Sequence, residues 1–182
     1  MTLIVLEIRV PNVEAIHSEA ALWHALGQLA PRMLTYLLSF MTLGIFWLGQ
    51  QTQLSYLERS DRTLSWIHFL FLALVALLPF STSLLAEFVT FRTALLVYWF
   101  NILLMGLALL WSWTTARRSG LVKADAPPEL SKVTVRRIVS AQLLYAVGAS
   151  LCLVNTAWSI GFILLVQLIY TFTPRFGLFF QM

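Results

Sequence analysis

Four long runs without a charged residue constrain the fold of this chain more than any other feature. They contain 25 residues (33–57), 24 residues (63–86), 24 residues (93–116) and 37 residues (138–174). Because about 18 to 20 apolar residues suffice for a helix that crosses a bilayer, each run can supply at least one crossing. Lipid offers the backbone no hydrogen-bonding partner, so segments of this length must cross as helices. A transmembrane barrel would show shorter, alternating segments.

The last run is too long for a single crossing. As one helix its 37 residues would extend about 55 Å, well beyond a hydrocarbon core of roughly 30 Å. The segment Asn155-Thr156-Ala157-Trp158 is the natural break, with a tryptophan suited to the membrane interface. The run therefore predicts two spans, 138–154 and 158–174.

The first ten residues, called here the N-terminal half-span (residues 1–10), read as the exit half of a membrane helix. They are mostly apolar and carry charge only at Glu7 and Arg9, and Pro11 follows them. A secretory signal peptide is the alternative, but the segment lacks a basic start and a small-residue cleavage site. We expect the natural chain to begin some two or three turns earlier. The prediction is thus a single all-α membrane domain over 1–182, with six transmembrane helices of which the first is only partly present.

The positive charge of the chain is concentrated on one predicted face of the membrane. With alternating spans, nine of the twelve basic residues share a face: Arg59, Arg62, Arg117, Arg118, Lys123, Lys132, Arg136, Arg137 and Arg175. Since basic loops stay in the cytoplasm, this face and both termini are predicted to be cytoplasmic. The same rule explains the net charge of +4 without a nucleic-acid partner.

The connecting segments are short and carry no recognisable soluble domain. Residues 12–30 are moderately amphipathic and precede Pro31, which predicts a short surface helix before the span 33–57. Residues 119–131 predict an ordinary cytoplasmic linker. Cys152 lies within an apolar run and is interpreted as a small buried hydrophobic residue.

No pattern of catalytic, metal-binding or cofactor-binding residues emerges from the sequence. His17 and His24 fall on the predicted surface helix, where a metal site would need further ligands. His68 lies about one turn inside the span 63–86. An imidazole there needs a hydrogen-bonding partner or a wet cavity, since polar groups in lipid require partners.

Three segments resemble the endo-lysosomal potassium channel family and its prokaryotic homologues. They are Leu3-Ile4-Val5-Leu6-Glu7-Ile8-Arg9-Val10-Pro11, Phe46-Trp47-Leu48-Gly49, and Leu77-Leu78-Pro79-Phe80-Ser81-Thr82-Ser83-Leu84-Leu85. Each motif is weak alone, and their order and spacing make the match moderately specific. The resemblance implies a prokaryotic plasma-membrane protein that assembles as a homotetramer, with a pore lined by the first helices and permeant K+ as its cargo.

The resemblance also assigns roles to five residues. Thr2, Leu3 and Leu6 match pore-facing family positions, and their i, i+1, i+4 spacing places them on one helical face. Trp47 and His68 match positions that, in the family, brace the first helix by hydrogen bonds. The family signature Phe-Ser-x-x-x-Asp and the isoleucine of its narrowest constriction would precede Thr2 and are absent from this sequence.

The sequence therefore predicts a potassium-permeable cation channel with a leucine/isoleucine constriction. No Thr-Val-Gly-Tyr-Gly segment is present that could form a filter of backbone carbonyls. Two alternatives stay open: a small secondary transporter, although no convincing internal repeat or intramembrane charge is seen, and a non-conducting membrane scaffold.

Overall fold

Five α-helices in succession make up most of residues 18–172, which are the residues that the computed structural model describes. They are α1 (Glu19–Ser55), α2 (Arg62–Glu87), α3 (Arg92–Arg118), α4 (Leu130–Ser150) and α5 (Thr156–Phe172), with a 3₁₀ turn at Leu151–Leu153 before α5. The all-α prediction is confirmed for this part of the chain.

Two of the helices are long and apolar enough to cross a bilayer, namely α2 with 26 residues and α3 with 27. Their ends lie within two residues of the uncharged runs 63–86 and 93–116. The side chain of Asp61 caps α2, because its Oδ1 accepts the backbone N–H of Leu64 at 2.7 Å. A shorter apolar helical segment covers Thr156–Tyr170.

Helix α1 differs from the prediction of a separate surface helix before the span 33–57. The helix begins after the Ser18 cap and continues without interruption for 37 residues to Ser55. A proline removes one backbone hydrogen bond from a helix, and that loss does not end a helix whose helix-forming pattern continues on both sides.

The linker between α3 and α4 is also shorter than predicted. Helix α3 ends at Arg118, where Gly120 adopts a positive φ of 62° and the chain reverses, as is common after a helix C-terminus. Helix α4 then begins at Leu130, eight residues before the predicted span 138–154. Basic residues end an apolar run, but they do not end a helix, so α4 extends about two turns beyond the uncharged residues.

The break before α5 falls slightly earlier than expected. The 3₁₀ turn Leu151–Leu153 ends α4, and the Asn155 side chain accepts the Ala157 N–H at 2.8 Å at the start of α5. Such a side-chain cap explains why the chain restarts a helix there.

One hydrophobic core joins all five helices. Helix α3 packs along α2, α1 packs against α2 and α5, and α4 contacts α3 and α5. The core contains Leu38, Phe46, Phe71, Leu78, Leu85, Leu95, Tyr98, Ile102, Met105, Tyr145, Cys152, Ile163 and Val166, among others. Cys152 is 2% exposed, which confirms its interpretation as a buried hydrophobic residue.

At the end of the bundle where α1 meets α2, two loops are tied together by backbone hydrogen bonds. Glu58 N–H donates to the Leu121 carbonyl at 2.9 Å, and Lys123 N–H donates to the Tyr56 carbonyl at 3.0 Å. These bonds hold the α1–α2 loop against the α3–α4 linker.

Candidate functional site

A cluster of neutral polar side chains lies inside the apolar core, and Thr42 is at its centre. The Thr42 hydroxyl donates to the Leu38 carbonyl of its own helix at 2.8 Å. It is also 2.8 Å from the Tyr98 hydroxyl and 2.5 Å from Gln167 Nε2. Since a hydroxyl has one hydrogen to donate and two lone pairs, Tyr98 and Gln167 must be the donors. The Thr42 hydroxyl thus donates one hydrogen bond and accepts two, which is its full capacity. These bonds link α1, α3 and α5.

A second part of the cluster joins α1 to α2. Ser39 and Thr82 share a hydrogen bond between their hydroxyls. Thr82 Oγ1 also donates to the Leu78 carbonyl at 2.7 Å, as does Ser81 Oγ at 3.0 Å. Ser39, Ser81 and Thr82 are at most 3% exposed. The pairing therefore satisfies hydroxyls that would be costly to bury alone.

Asn101 of α3 meets α2 next to Pro79, which lies inside that helix. With its amide oriented by the surrounding groups, Asn101 donates to the Leu74 carbonyl at 3.2 Å and accepts the Leu78 N–H at 3.3 Å. Ser81 Oγ also lies 3.1 Å from the Asn101 amide oxygen, and its single hydrogen is shared between this oxygen and the Leu78 carbonyl. Leu74 and Leu78 are one helical turn apart, so the amide bridges the backbone of α2 immediately before the proline. Pro79 has no N–H for the Val75 carbonyl, so Asn101 contacts α2 directly beside the missing backbone bond.

His68 and Ser112 form a separate polar contact between α2 and α3. His68 Nε2 is 3.0 Å from Ser112 Oγ; the imidazole is half-buried, and Ser112 is 3% exposed. This contact provides the hydrogen-bonding partner that the sequence predicts for an intramembrane histidine. The other ring nitrogen can serve a second group.

Trp47 lies on α1 with its side chain 53% exposed. Counted along the helices, Trp47 and His68 each lie about 9 to 12 Å from the end of the bundle where α1 and α2 are joined. Both residues therefore lie at a similar depth. The predicted pore residues Thr2, Leu3 and Leu6 lie outside the described residues.

Tyr98, Ser112 and Tyr145 were not singled out by sequence reasoning. A tyrosine within an apolar run reads as a bulky hydrophobic residue, although the spacing of Tyr98 and Asn101 (i, i+3) puts both on one helical face. Tyr145 is 1% exposed, and within the described part of the chain neither its hydroxyl nor Gln167 Oε1 has a hydrogen-bonding partner. For Tyr98, the helical face that it shares with Asn101 is the sequence signal that could have identified it.

Small residues of α4 and α5 allow a close helix contact at Gly148 and not at Ala157 or Gly161. Ala157 and Gly161 have the spacing of a close helix contact, but both are exposed, and a Cβ added to Gly161 would meet no described atom within 4 Å. Gly148 makes the close approach instead. A Cβ there would lie 2.8 Å from Ile163 Cγ1, and its carbonyl accepts from Ser159 Oγ at 2.5 Å.

The described helices and their buried neutral network are those of a multi-pass helical membrane protein. Comparison with known proteins defines the family. A profile described as the endosomal/lysosomal potassium channel TMEM175 matches residues 1–79. A potassium channel of Streptomyces collinus is 31% identical over 179 residues, which cover 94% of this chain and 84% of that protein. The chain belongs to the TMEM175 potassium channel family.

Two further matches come from Chamaesiphon minutus. A potassium channel of that organism is 35% identical over 88 residues, covering 48% of this chain and 43% of the relative. A crystal structure described as a lysosomal potassium-selective channel TMEM175 homolog superposes with a TM-score of 0.81 at 25% identity. It covers 96% of this chain and 89% of that one. The family and these relatives are potassium channels, not enzymes, and the resemblance seen in the sequence is confirmed.

Proposed function

We propose that this chain forms a potassium-permeable cation channel as a homotetramer, with the first helices around the pore. The observation that carries the proposal is the 31% identity to a potassium channel over 94% of the chain. The superposition with a potassium-selective homolog over 96% of the chain supports it.

The packing of the described helices supports an ion path between protomers rather than through one. Among residues 18–172, the interior of the bundle is filled by the apolar core and by a cluster of neutral side chains that mostly bond to each other. Thr42, at the centre of that cluster, has no capacity left for another partner. A path for ions is therefore better placed on the symmetry axis of an oligomer.

The proposed constriction belongs to the N-terminal half-span. Around a four-fold axis, Leu3 and Leu6 would form apolar rings, with Thr2 hydroxyls beside them. Such rings can gate by dewetting, which requires no filter of backbone carbonyls.

We assign Trp47 and His68 a supporting role. Ser112 fixes one nitrogen of His68, and Trp47 leaves half of its surface accessible on α1. Both side chains could therefore brace the first helix, as the family resemblance implies. We place both termini in the cytoplasm of a prokaryotic cell, because the basic residues predominate on that predicted face.

Potassium flux in liposomes tests the proposal. Purified protein in vesicles with an outward K+ gradient should release K+ as soon as counter-ion movement is allowed, without any added co-substrate. A small secondary transporter would require a coupled solute, and a scaffold would leave the gradient intact. Either result, obtained with folded protein, contradicts the channel assignment.

A comparison of two neighbouring residues tests the constriction. In a four-fold assembly, Leu6→Ala alters four side chains at once and should raise the current or loosen selectivity. Leu6→Asn should act more strongly because it adds polar groups. Val5 points about 100° away on the helix, so Val5→Ala should leave conduction unchanged. Equal effects of Val5→Ala and Leu6→Ala at equal expression would show that the pore face is wrongly assigned.

A further inference from the structure

The end of α3 and the start of α4 together form a basic surface, called here the α3–α4 corner. Its members are Arg117, Arg118, Lys132, Arg136 and Arg137, all of them exposed. Glu129 is the nearest acidic residue in the sequence. Its Oε2 lies 3.9 Å from Lys132 Nζ, and both side chains are more than 70% exposed. A pair so open to solvent is weak and does not neutralise Lys132.

Ser131 draws the two helices together at this corner. Its hydroxyl accepts from a guanidinium nitrogen of Arg117 and lies 3.4 Å from Trp113 Nε1. Trp113 is 2% exposed and Ser131 is 9% exposed, so the contact is anchored in packed structure. Arg117 of α3 is therefore held against Ser131, the residue that precedes Lys132 in α4.

The exposed face of α4 continues from these charges into apolar side chains. At 100° per residue, Lys132, Arg136, Val139, Leu143 and Val147 fall within an arc of about 80°. Val139, Leu143 and Val147 are 40%, 62% and 50% exposed. With a rise of about 1.5 Å per residue, Leu143 lies roughly 16 Å along the axis from Lys132. The basic residues Lys132 and Arg136 lie at one end of this face. Val139, Leu143 and Val147 follow them and form an exposed apolar stripe.

We propose that the α3–α4 corner and the apolar stripe of α4 bind one anionic phospholipid of the adjacent leaflet. The phosphate and an anionic headgroup lie against Lys132, Arg136 and the anchored Arg117, and an acyl chain lies along Val139, Leu143 and Val147. Guanidinium groups pair with phosphate through two parallel hydrogen bonds, which favours a phosphodiester over a diffuse counter-ion. The proposal depends on α4 lying in the membrane and not on conduction.

Lipid binding to the purified full chain tests the proposal. Protein is equilibrated in micelles of phosphatidylglycerol and phosphatidylcholine, and the bound lipids are counted by native mass spectrometry. Unaltered protein should be enriched in phosphatidylglycerol. The double variant Lys132→Gln/Arg136→Gln should lose about fivefold of that preference for each charge removed. The matched control Arg59→Gln/Arg92→Gln removes the same charge elsewhere and should keep the preference.

Three more measurements distinguish a lipid site from a structural effect and from a free-anion site. Lys132→Arg, which retains both charges and the guanidinium of Arg136, should bind at least as well as the unaltered protein does, so a loss there would show that the effect is structural. Leu143→Gln should weaken retention of the lipid although every charge is present. Millimolar inorganic phosphate should not displace the lipid.

Three results overturn the proposal. The first is equal loss of phosphatidylglycerol in the control variant, which would mean a general charge effect. The second is displacement by inorganic phosphate, which would mean a site for a free anion. The third is a changed oligomeric state in Lys132→Gln/Arg136→Gln, which would mean that the stripe is covered by a second copy of the chain.

Discussion

Replacing Thr42 by valine should destabilise the helix bundle, although the two side chains have nearly the same shape. The hydroxyl of Thr42 accepts hydrogen bonds from Tyr98 and Gln167, and both donors are completely buried. Valine removes the acceptor and leaves both donors without it. The lost bond to the Leu38 carbonyl costs less, because that carbonyl lies inside α1 and keeps its backbone hydrogen bond.

The size of the effect follows from the two orphaned donors. Hydrogen bonds between membrane helices average about 0.6 kcal/mol, so losing two gives a lower bound of roughly 1.2 kcal/mol. A buried donor left without a partner costs about 1 to 3 kcal/mol in proteins generally. We therefore expect Thr42→Val to lower the free energy of unfolding by about 1 to 6 kcal/mol, the upper figure being the full cost of two such donors.

Thr52 offers a matched control on the same helix. Its hydroxyl bonds only to the Leu48 carbonyl of α1, at 2.8 Å, and the side chain is exposed. Thr52→Val should change the free energy of unfolding by no more than about 0.5 kcal/mol. Both variants are measured by reversible unfolding in mixed micelles with increasing dodecyl sulfate, followed by circular dichroism.

A double-mutant cycle with Tyr98→Phe isolates the pair. If Tyr98 donates to Thr42, the two substitutions together should cost less than their sum, with a coupling of at least about 0.5 kcal/mol. The reasoning is refuted if Thr42→Val is no more destabilising than Thr52→Val. A coupling of zero would refute the donor assignment alone.

Three other outcomes are expected. Gly148→Ala should destabilise the α4–α5 contact by about 1 to 3 kcal/mol, whereas Gly161→Ala, with no described atom in the way, should be neutral or slightly stabilising in the same unfolding assay. His68→Leu should weaken the proposed assembly or conduction more than His24→Leu, because it removes the contact with Ser112 of α3. Equal, negligible effects in size-exclusion and flux measurements would remove His68 from the site. Lys123→Cys should resist impermeant thiol reagents added outside intact cells, and ready labelling would reverse the proposed orientation.

The sequence was most informative where the cost of charge in lipid decides the outcome. Helices α2 and α3 begin and end next to charged residues, so the uncharged runs predicted them to within two residues. The same signal failed for α4, whose first two turns carry Lys132, Arg136 and Arg137. Exclusion of charge marks the apolar part of a helix and not the helix itself.

The buried network was less accessible to sequence reasoning. Ser39, Thr42, Ser81, Thr82, Asn101 and Gln167 are all recognisable as polar residues within apolar runs. Which of them meet depends on the rotation of each helix about its axis, and packing of the whole bundle sets that rotation. Tyr98 was not predicted, because the hydrogen bond of its hydroxyl depends on Thr42 of another helix lying opposite it.

Current recorded across a planar bilayer tests the central claim most directly. Purified protein is incorporated into the bilayer between two KCl solutions of different concentration, with no other permeant solute, and the reversal potential is measured. We expect a steady passive current that reverses near the equilibrium potential of K+. A current that reverses near the chloride potential, or folded protein that passes no current, would contradict it.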